Sequence, residues 1–351
     1  MLTIFRKSLA CAALGVVAAA PTVYAEQEYK IAWTIYAGTM PLGYAQDHGI
    51  LEKWGDKYGF DLQAVQLNDY IEAQTQFAAG TFDGSVAITL DALTIPAASG
   101  VDTTVVVPMS TSVGSDGIVM RGKNATLADI KGAKVNLVEL SGSHYMLARA
   151  LDRVGMSERD ITIVNTSDAD IGSIFTDSTT EVVATWKPQL SQILQQFSDT
   201  ALVFDSSDIR GEIVDGLIVH TETLEREPNL GRAIAGAWYE TTAMLSPSHP
   251  EHDEFIAYMA EQLNTSSDDL RSQLSTIEFF NAEQGLKYVT SDALGQTMNS
   301  ITEFAFQHGL LGESAPDASF IGIETGSGAI LGNDTNVKLR FNAEWLTEIA
   351  Q

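Results

Sequence analysis

Val138-Glu139-Leu140-Ser141-Gly142-Ser143-His144-Tyr145 is the stretch around which the chain is organised. The stretch at 133–137 leads into it and reads as a buried strand. A helix leaves it, with Leu147, Ala150, Leu151 and Val154 at i, i+3, i+4 and i+7. Gly155 stands where such a helix stops. A strand whose carboxyl end turns straight into a helix N-terminus is where open α/β sheets take up ligands, so this turn reads as one wall of a small-molecule cleft.

The same alternation continues outward. On the amino side, 29–36 is β-branched and aromatic enough for a first strand, and Pro41 is placed to open a helix running towards Gly59. A strand at 61–67 follows, then Asp69 and Glu72 in a capping-box pattern for a helix ending at Gly80. Residues 84–90 read as a strand, Asp91 opens a short helix, and 103–108 is a nearly continuous apolar strand. Strands alternating with helices predict a parallel-type α/β sheet. The Ser, Thr and Gly of 110–115 read as a crossover between domains.

A second series follows, with strands at 117–120, 133–137, 161–164, 181–186 and 202–204 and helices after Ser143 and at 169–175 and 189–196. Residues 218–220 return the chain to the first series, and beyond Leu224 the pattern is helical almost to the end. The tail at 315–339 reads as loop and turn, closed by a helix after Asn342. The expected organisation is two lobes, 26–115 with 220–351 and 116–219.

The first 25 residues read as a signal peptide. Arg6 and Lys7 precede an apolar run at 9–20, and Val23-Tyr24-Ala25 forms a cleavage site. The single cysteine, Cys11, falls inside this segment. Loss of the segment takes the formal charge from −26 to −28, because residues 1–25 carry those two bases and no acid. Such acidity argues against nucleic acid or an anionic membrane surface as partner and fits a solvated acidic shell. No later stretch is long and apolar enough for a membrane-spanning helix. A secreted, periplasmic protein is expected.

With these elements in order, the chain resembles the solute-binding proteins of nitrate/sulfonate/taurine-type ABC transporters. The resemblance spans nearly the whole mature chain. It rests on Trp33 to Gly38, Gly80-Thr81-Phe82-Asp83-Gly84, Thr89-Leu90-Asp91-Ala92-Leu93, Ser141 to Tyr145, Thr185-Trp186-Lys187-Pro188 and Glu212-Ile213-Val214-Asp215. More narrowly, Asn68-Asp69-Tyr70, residues 90–98 and Asn165-Thr166-Ser167-Asp168-Ala169-Asp170 look like a subgroup labelled as urea-binding. That subgroup is linked with urea carboxylase-type systems, several of which act on guanidine. The resemblance implies a type II, cluster-F-like periplasmic binding fold with hinge crossovers and a helical C-terminal return. It further implies a monomer that closes on its solute and presents it to a permease/ATPase complex at the inner membrane, with no cofactor and no metal.

The resemblance places Trp33, Tyr36, Asp91, the turn bearing Glu139, Ser141, Ser143, His144 and Tyr145, and Asp168, Trp186 and Asp215 along the cleft. The departures from sulfonate and taurine binders are informative. This chain has Asp91 where they tend to carry a small residue, Glu139 where they are apolar, and Asp168 and Asp170 where they show prolines. Carboxylates only accept hydrogen bonds. Such a cleft favours guanidinium, whose planar fork matches a carboxylate and whose charge gains from indole faces, or urea. The alternatives are a taurine-, sulfonate- or nitrate-type anion, or a pyrimidine-precursor-type enzyme on the same fold.

Each residue also has a plainer role. Asp91 and Asp168 stand where helices begin and suit N-caps, and Asp170 suits a solvated first turn. Ser143 fits a cap as well as a donor, His144 a structural histidine, and Trp186 core packing as well as stacking. Glu139 and Asp215 are poorer caps and fit the site wall. Helix N-termini aimed at a cleft suit anions and so oppose the cationic reading. Ser141, Ser143 and His144 lack G-x-S-x-G and do not point at one another along a helix. His249-Pro250-Glu251-His252 has no third metal ligand in view, and Gly326-Ser327-Gly328 lacks the βαβ unit of a nucleotide loop. The cysteine cluster of the pyrimidine-precursor enzymes is missing from the mature chain.

Overall fold

The computed structural model describes residues 27–350; the expected signal peptide and its cleavage site lie outside them. Its strands are β1 (Gln27–Thr34), β2 (Phe60–Leu67), β3 (Gly84–Ile88), β4 (Thr103–Ser112), β5 (Asp116–Arg121), β6 (Lys134–Leu137) and β7 (Thr162–Asn165). They continue with β8 (Val182–Trp186), β9 (Thr200–Asp205), β10 (Val214–His220), β11 (Ile277–Phe279), β12 (Gly322–Glu324), β13 (Ile330–Leu331) and β14 (Val337–Phe341).

Two sheets divide these strands. One has nine strands in the order β13-β12-β14-β4-β10-β3-β1-β2, with β11 added on β4; the other runs β7-β6-β8-β5-β9. Two passages of chain join them, β4 into β5 and β9 into β10. The sequence pattern predicts parallel sheets, but neither sheet is purely parallel. The return strand β10 runs antiparallel to β3 and β4, and β5 runs antiparallel to β8 and β9. A strand that crosses between sheets re-enters from the hinge end, so its direction reverses. The tail read as loop also differs: β14 pairs parallel with β4, and β12 and β13 extend that edge.

Local chemistry explains the element ends. Pro41 sits in the first turn of the Met40–Asp47 helix, but Gly49 in the left-handed region (φ 69°) divides the expected single helix in two, Met40–Asp47 and Ile50–Asp56. Asp69 caps the Tyr70–Ala78 helix by accepting from Glu72 N at 2.8 Å. The Gly142–Arg153 helix begins under a Ser141 cap and ends before Gly155, which has φ 68°.

Period-2 alternation turns Tyr29, Ile31 and Trp33 of β1 towards the helices that cover the first sheet, where they join a core with Leu42, Tyr44, Trp238 and Phe255. A second core runs from the inner helices of the first sheet into the second, holding Phe77, Val105, Ile118, Val135, Tyr145 and Phe304 together. Among the described residues, no helix is long and apolar enough to cross a membrane.

Candidate functional site

Where the sheets meet, a cavity of about 60 Å³ is lined by Thr34, Tyr36, Thr39, Tyr70, Val86, Ile88, Asp91, Asp116, Ser141, Gly142, Trp186, Ile213 and Asp215. That volume suits a solute of about four to six heavy atoms. Three carboxylates reach it by different routes. Asp91 lies in the first turn of the short Thr89–Ala92 helix that continues β3. Asp116 opens β5 opposite Trp186, and Asp215 lies in β10 opposite Ile88 of β3 and Ser110 of β4. Asp116 and Asp215 therefore sit on the two crossovers themselves, and any rotation of one sheet against the other moves them.

Each carboxylate is steadied by a hydroxyl on Oδ2. Tyr70 Oη donates to Asp91 at 2.8 Å, Ser110 Oγ donates to Asp215 at 2.8 Å, and Ser112 Oγ donates to Asp116. The Oδ1 atom of Asp91 is buried without a partner. Burial first, and then repulsion by a neighbouring carboxylate (Asp215 on Asp91, Asp116 on Asp215), pushes Asp91 and Asp215 up to about 7; burial pushes Asp116 up to about 6. Among the described residues, no lysine or arginine lines the cavity. Lys187 lowers Asp116 only as a secondary effect, and its ammonium donates to Thr276 Oγ1 at 3.0 Å. Ser206 Oγ ties the crossovers together, 2.6 Å from Ser112 Oγ and accepting from Gly114 N at 2.8 Å.

Of the residues expected along the cleft, Tyr36, Asp91, Ser141, Trp186 and Asp215 line it and six do not. Trp33 belongs to the helix-covered core, with its ring against Gly43. Glu139 is exposed; Leu140 adopts a left-handed conformation (φ 68°), and Glu139 turns towards the β7 edge, where its N–H donates to Asn165 Oδ1 at 3.0 Å. Ser143 is buried behind the wall with its hydroxyl unpaired, and Ser141 is the cap instead, accepting from Ser143 N at 3.2 Å. Tyr145 packs into the second core and donates to Glu212 Oε2 at 2.5 Å.

His144 is structural. Leu140 N–H donates to its Nδ1 at 3.0 Å, so the neutral ring carries its proton on Nε2, which faces Glu158 Oε1 at 2.9 Å. His144, Glu158 and His308 bring three potential ligand atoms within 4.8 Å of one another. The backbone donor at His144 Nδ1 nevertheless leaves Nε2 no lone pair for a metal.

The expected capping roles change as well. Ile88 and Ser167, rather than Asp91 and Asp168, occupy the N-cap positions. Asp168 starts its helix outside the cavity, where burial raises its pKa. Sequence reasoning missed Tyr70 and Asp116. The Asn68-Asp69-Tyr70 segment was already distinctive, whereas Asp116 fell between the expected crossover and the strand and left no signal.

Two sheets linked by two crossovers around a ligand-sized cavity define a two-lobed, mixed α/β periplasmic binding fold. The chain belongs to the NMT1/THI5-like family, whose model matches residues 40–251. It is 25% identical over 173 residues to a protein of Escherichia coli (strain K12) named for binding aliphatic sulfonates. That match covers 48% of this chain and 53% of the relative, so the chain spans about half the length of the curated relative it matches.

Solved structures show the same fold across more of the chain. The periplasmic aliphatic sulphonate binding protein SsuA of Escherichia coli superposes with TM-score 0.66 at 20% identity, covering 82% of this chain and 95% of that one. The alkanesulfonate-binding protein SsuA of Xanthomonas axonopodis pv. citri, bound to MOPS, gives 0.68 at 17% identity over 83% and 96%. The periplasmic nitrate-binding protein NrtA of Synechocystis PCC 6803 gives 0.66 at 13% identity over 93% and 89%.

Proposed function

We propose that this chain is the periplasmic solute-binding component of an ABC importer, and that its cleft takes a small planar cation with N–H donors. Guanidinium is the first choice, and its uncharged counterpart urea the second. The importer role draws on relatives named for binding aliphatic sulfonates and nitrate, and on a protein of the same fold from Staphylococcus aureus named as the ligand-binding component of an ABC-type import system. The ligand class is carried by one observation: Asp91, Asp116 and Asp215 meet in a single small cavity that no basic side chain of the described residues lines. Buried carboxylates without a counter-charge are costly, and a guanidinium ion supplies charge and paired N–H donors together. The Trp186 indole at the same wall favours a planar cation.

The second reading is a sulfonate- or nitrate-type anion. The names of the relatives favour it, as does the N-terminus of the Gly142–Arg153 helix at the wall. An anion would have to enter beside acids whose pKa values lie at about 6 and about 7, which are largely or half ionised at neutral pH. Calorimetric titration of the mature protein with guanidinium, urea, taurine and nitrate decides between them. Guanidinium binding most tightly at pH 8 is the expected result; tight taurine or nitrate binding with no guanidinium response overturns it.

A further inference from the structure

Tyr70 begins the Tyr70–Ala78 helix of the nine-stranded half, and contacts from both halves converge on it. Its hydroxyl donates to Asp91 Oδ2 at 2.8 Å and accepts from Ile88 N at 3.1 Å. Its ring meets that of Trp186, in the five-stranded half, edge-on at 6.1 Å between centroids. Its backbone N–H faces the carboxylate of Asp168, again in the five-stranded half. One residue earlier, Asp69 caps the same helix through Oδ1 and accepts on Oδ2 from Ser167 Oγ at 3.1 Å. Ser167 is itself the N-cap of the Asp168–Ile174 helix. Two helix starts from opposite halves thus meet beside the cavity and share their capping groups.

We propose that Tyr70 is a positioning residue that couples occupancy of the cavity to closure of the two halves. It fixes Asp91 by Oδ2, which leaves the buried, unpartnered Oδ1 to meet the solute. It passes the same constraint through its helix start to the Asp69–Ser167 contact and to Trp186. The coupling has a direct physical source. A cation in the cavity holds Asp91 ionised, and a hydroxyl donating to an ionised carboxylate makes a shorter and stronger bond than one donating to a neutral acid. The helix start carrying Asp69 is then held more firmly against Ser167. A solute that left Asp91 neutral would not tighten the seam. This inference rests on the cation reading of the cavity.

The test uses the mature full-length protein and the variants Tyr70→Phe and Ser167→Ala, with guanidinium chloride as probe. Two readouts are taken: the pH dependence of affinity, and hydrogen exchange at residues 165–172, which lie in the half opposite Tyr70. Tyr70→Phe is expected to weaken binding about tenfold, the usual worth of a hydrogen bond to a charged group. It should also move the midpoint of the affinity–pH curve upward, because the Tyr70 hydroxyl lowers the Asp91 pKa. Ser167→Ala should leave that midpoint in place and speed dissociation.

Both variants should exchange several-fold faster at 165–172 when saturated. A Tyr70→Phe protein that binds guanidinium with an unmoved midpoint and unchanged exchange overturns the coupling. If guanidinium fails to bind the wild-type protein, the cation reading falls instead. Exchange at 165–172 in the ligand-free variant then still decides the seam: faster exchange supports it and unchanged exchange overturns it.

Discussion

Replacing Asp215 with asparagine should make the empty protein more stable at alkaline pH while crippling ligand capture. Asp215 is 8% exposed, accepts from Ser110 Oγ at 2.8 Å, and is pushed from 3.8 to about 7 by burial and by Asp116. Its folded pKa lies above its unfolded one, so the folded state holds the extra proton between these values. Stability from this group therefore falls as pH rises from about 4 to about 7 and stays low above that. At roughly 1.4 kcal/mol per unit, the full cost approaches about 4 kcal/mol at pH 8.

In the Asp215→Asn variant the new side-chain carbonyl can still accept from Ser110, but the amide NH₂ gains no obvious acceptor, which returns roughly 1–3 kcal/mol. The net gain is about 1–3 kcal/mol, or a few degrees in Tm for a chain of this size. Thermal unfolding of Asp215→Asn and wild type at pH 5 and pH 8 measures it directly. The variant should melt higher at pH 8 with little difference at pH 5, and its guanidinium affinity should fall at least about thirtyfold. A variant less stable than wild type at pH 8, or equally shifted at both pH values, refutes the argument that Asp215 is held uncompensated for a ligand.

Guanidinium affinity should rise as pH climbs through about 6 to about 7, where Asp116, Asp91 and Asp215 ionise; calorimetry from pH 5 to pH 8 checks it, and a flat or falling profile counts against the site. Gly142→Val should weaken binding with the melting temperature nearly kept, since even a Cβ at Gly142 would stand 2.8 Å from Ile88 Cδ1 across the cavity. The His308–Glu158 contact, 2.7 Å between Nε2 and Oε1, ties the Asp292–Gln307 helix to the five-stranded half. Its hydrogen bonds to the two histidines hold Glu158 down at about 2, despite an opposing desolvation effect, and Glu158 in turn raises His308. The carboxylate's share of stability is lost as pH falls towards about 2, and the imidazolium's share is lost as pH rises through its raised value. His308→Gln should therefore destabilise by roughly 1–2 kcal/mol near pH 5.5 and by less at pH 8, read by chemical unfolding.

The two-sheet plan was legible because strands and helices alternate, and because Gly, Ser and Thr at 110–115 mark a change of register between them. Ser141 was legible as part of the cleft wall because a strand-to-helix turn has few other uses. The resemblance places Trp33 along the cleft, but strand alternation sets Tyr29, Ile31 and Trp33 on one face of β1, and that face is covered by helices. Glu139 misled because a single left-handed residue, Leu140, decides which way the turn presents its side chains, and leucine gives no hint of that conformation. Asp116 left no signal because its place at the site depends on the pairing of β5 with β8, which sets it opposite Trp186, whereas Tyr70 stood in a distinctive segment whose contact with Asp91 only the fold brings about.

Proton release on binding tests the central claim most directly. Guanidinium is titrated into the protein at pH 6.5 in two buffers of different ionisation enthalpy. If a cation enters a cavity of partly protonated Asp91, Asp116 and Asp215, binding releases protons, roughly one per guanidinium bound. Proton uptake on binding taurine or nitrate, with guanidinium silent, would contradict the account.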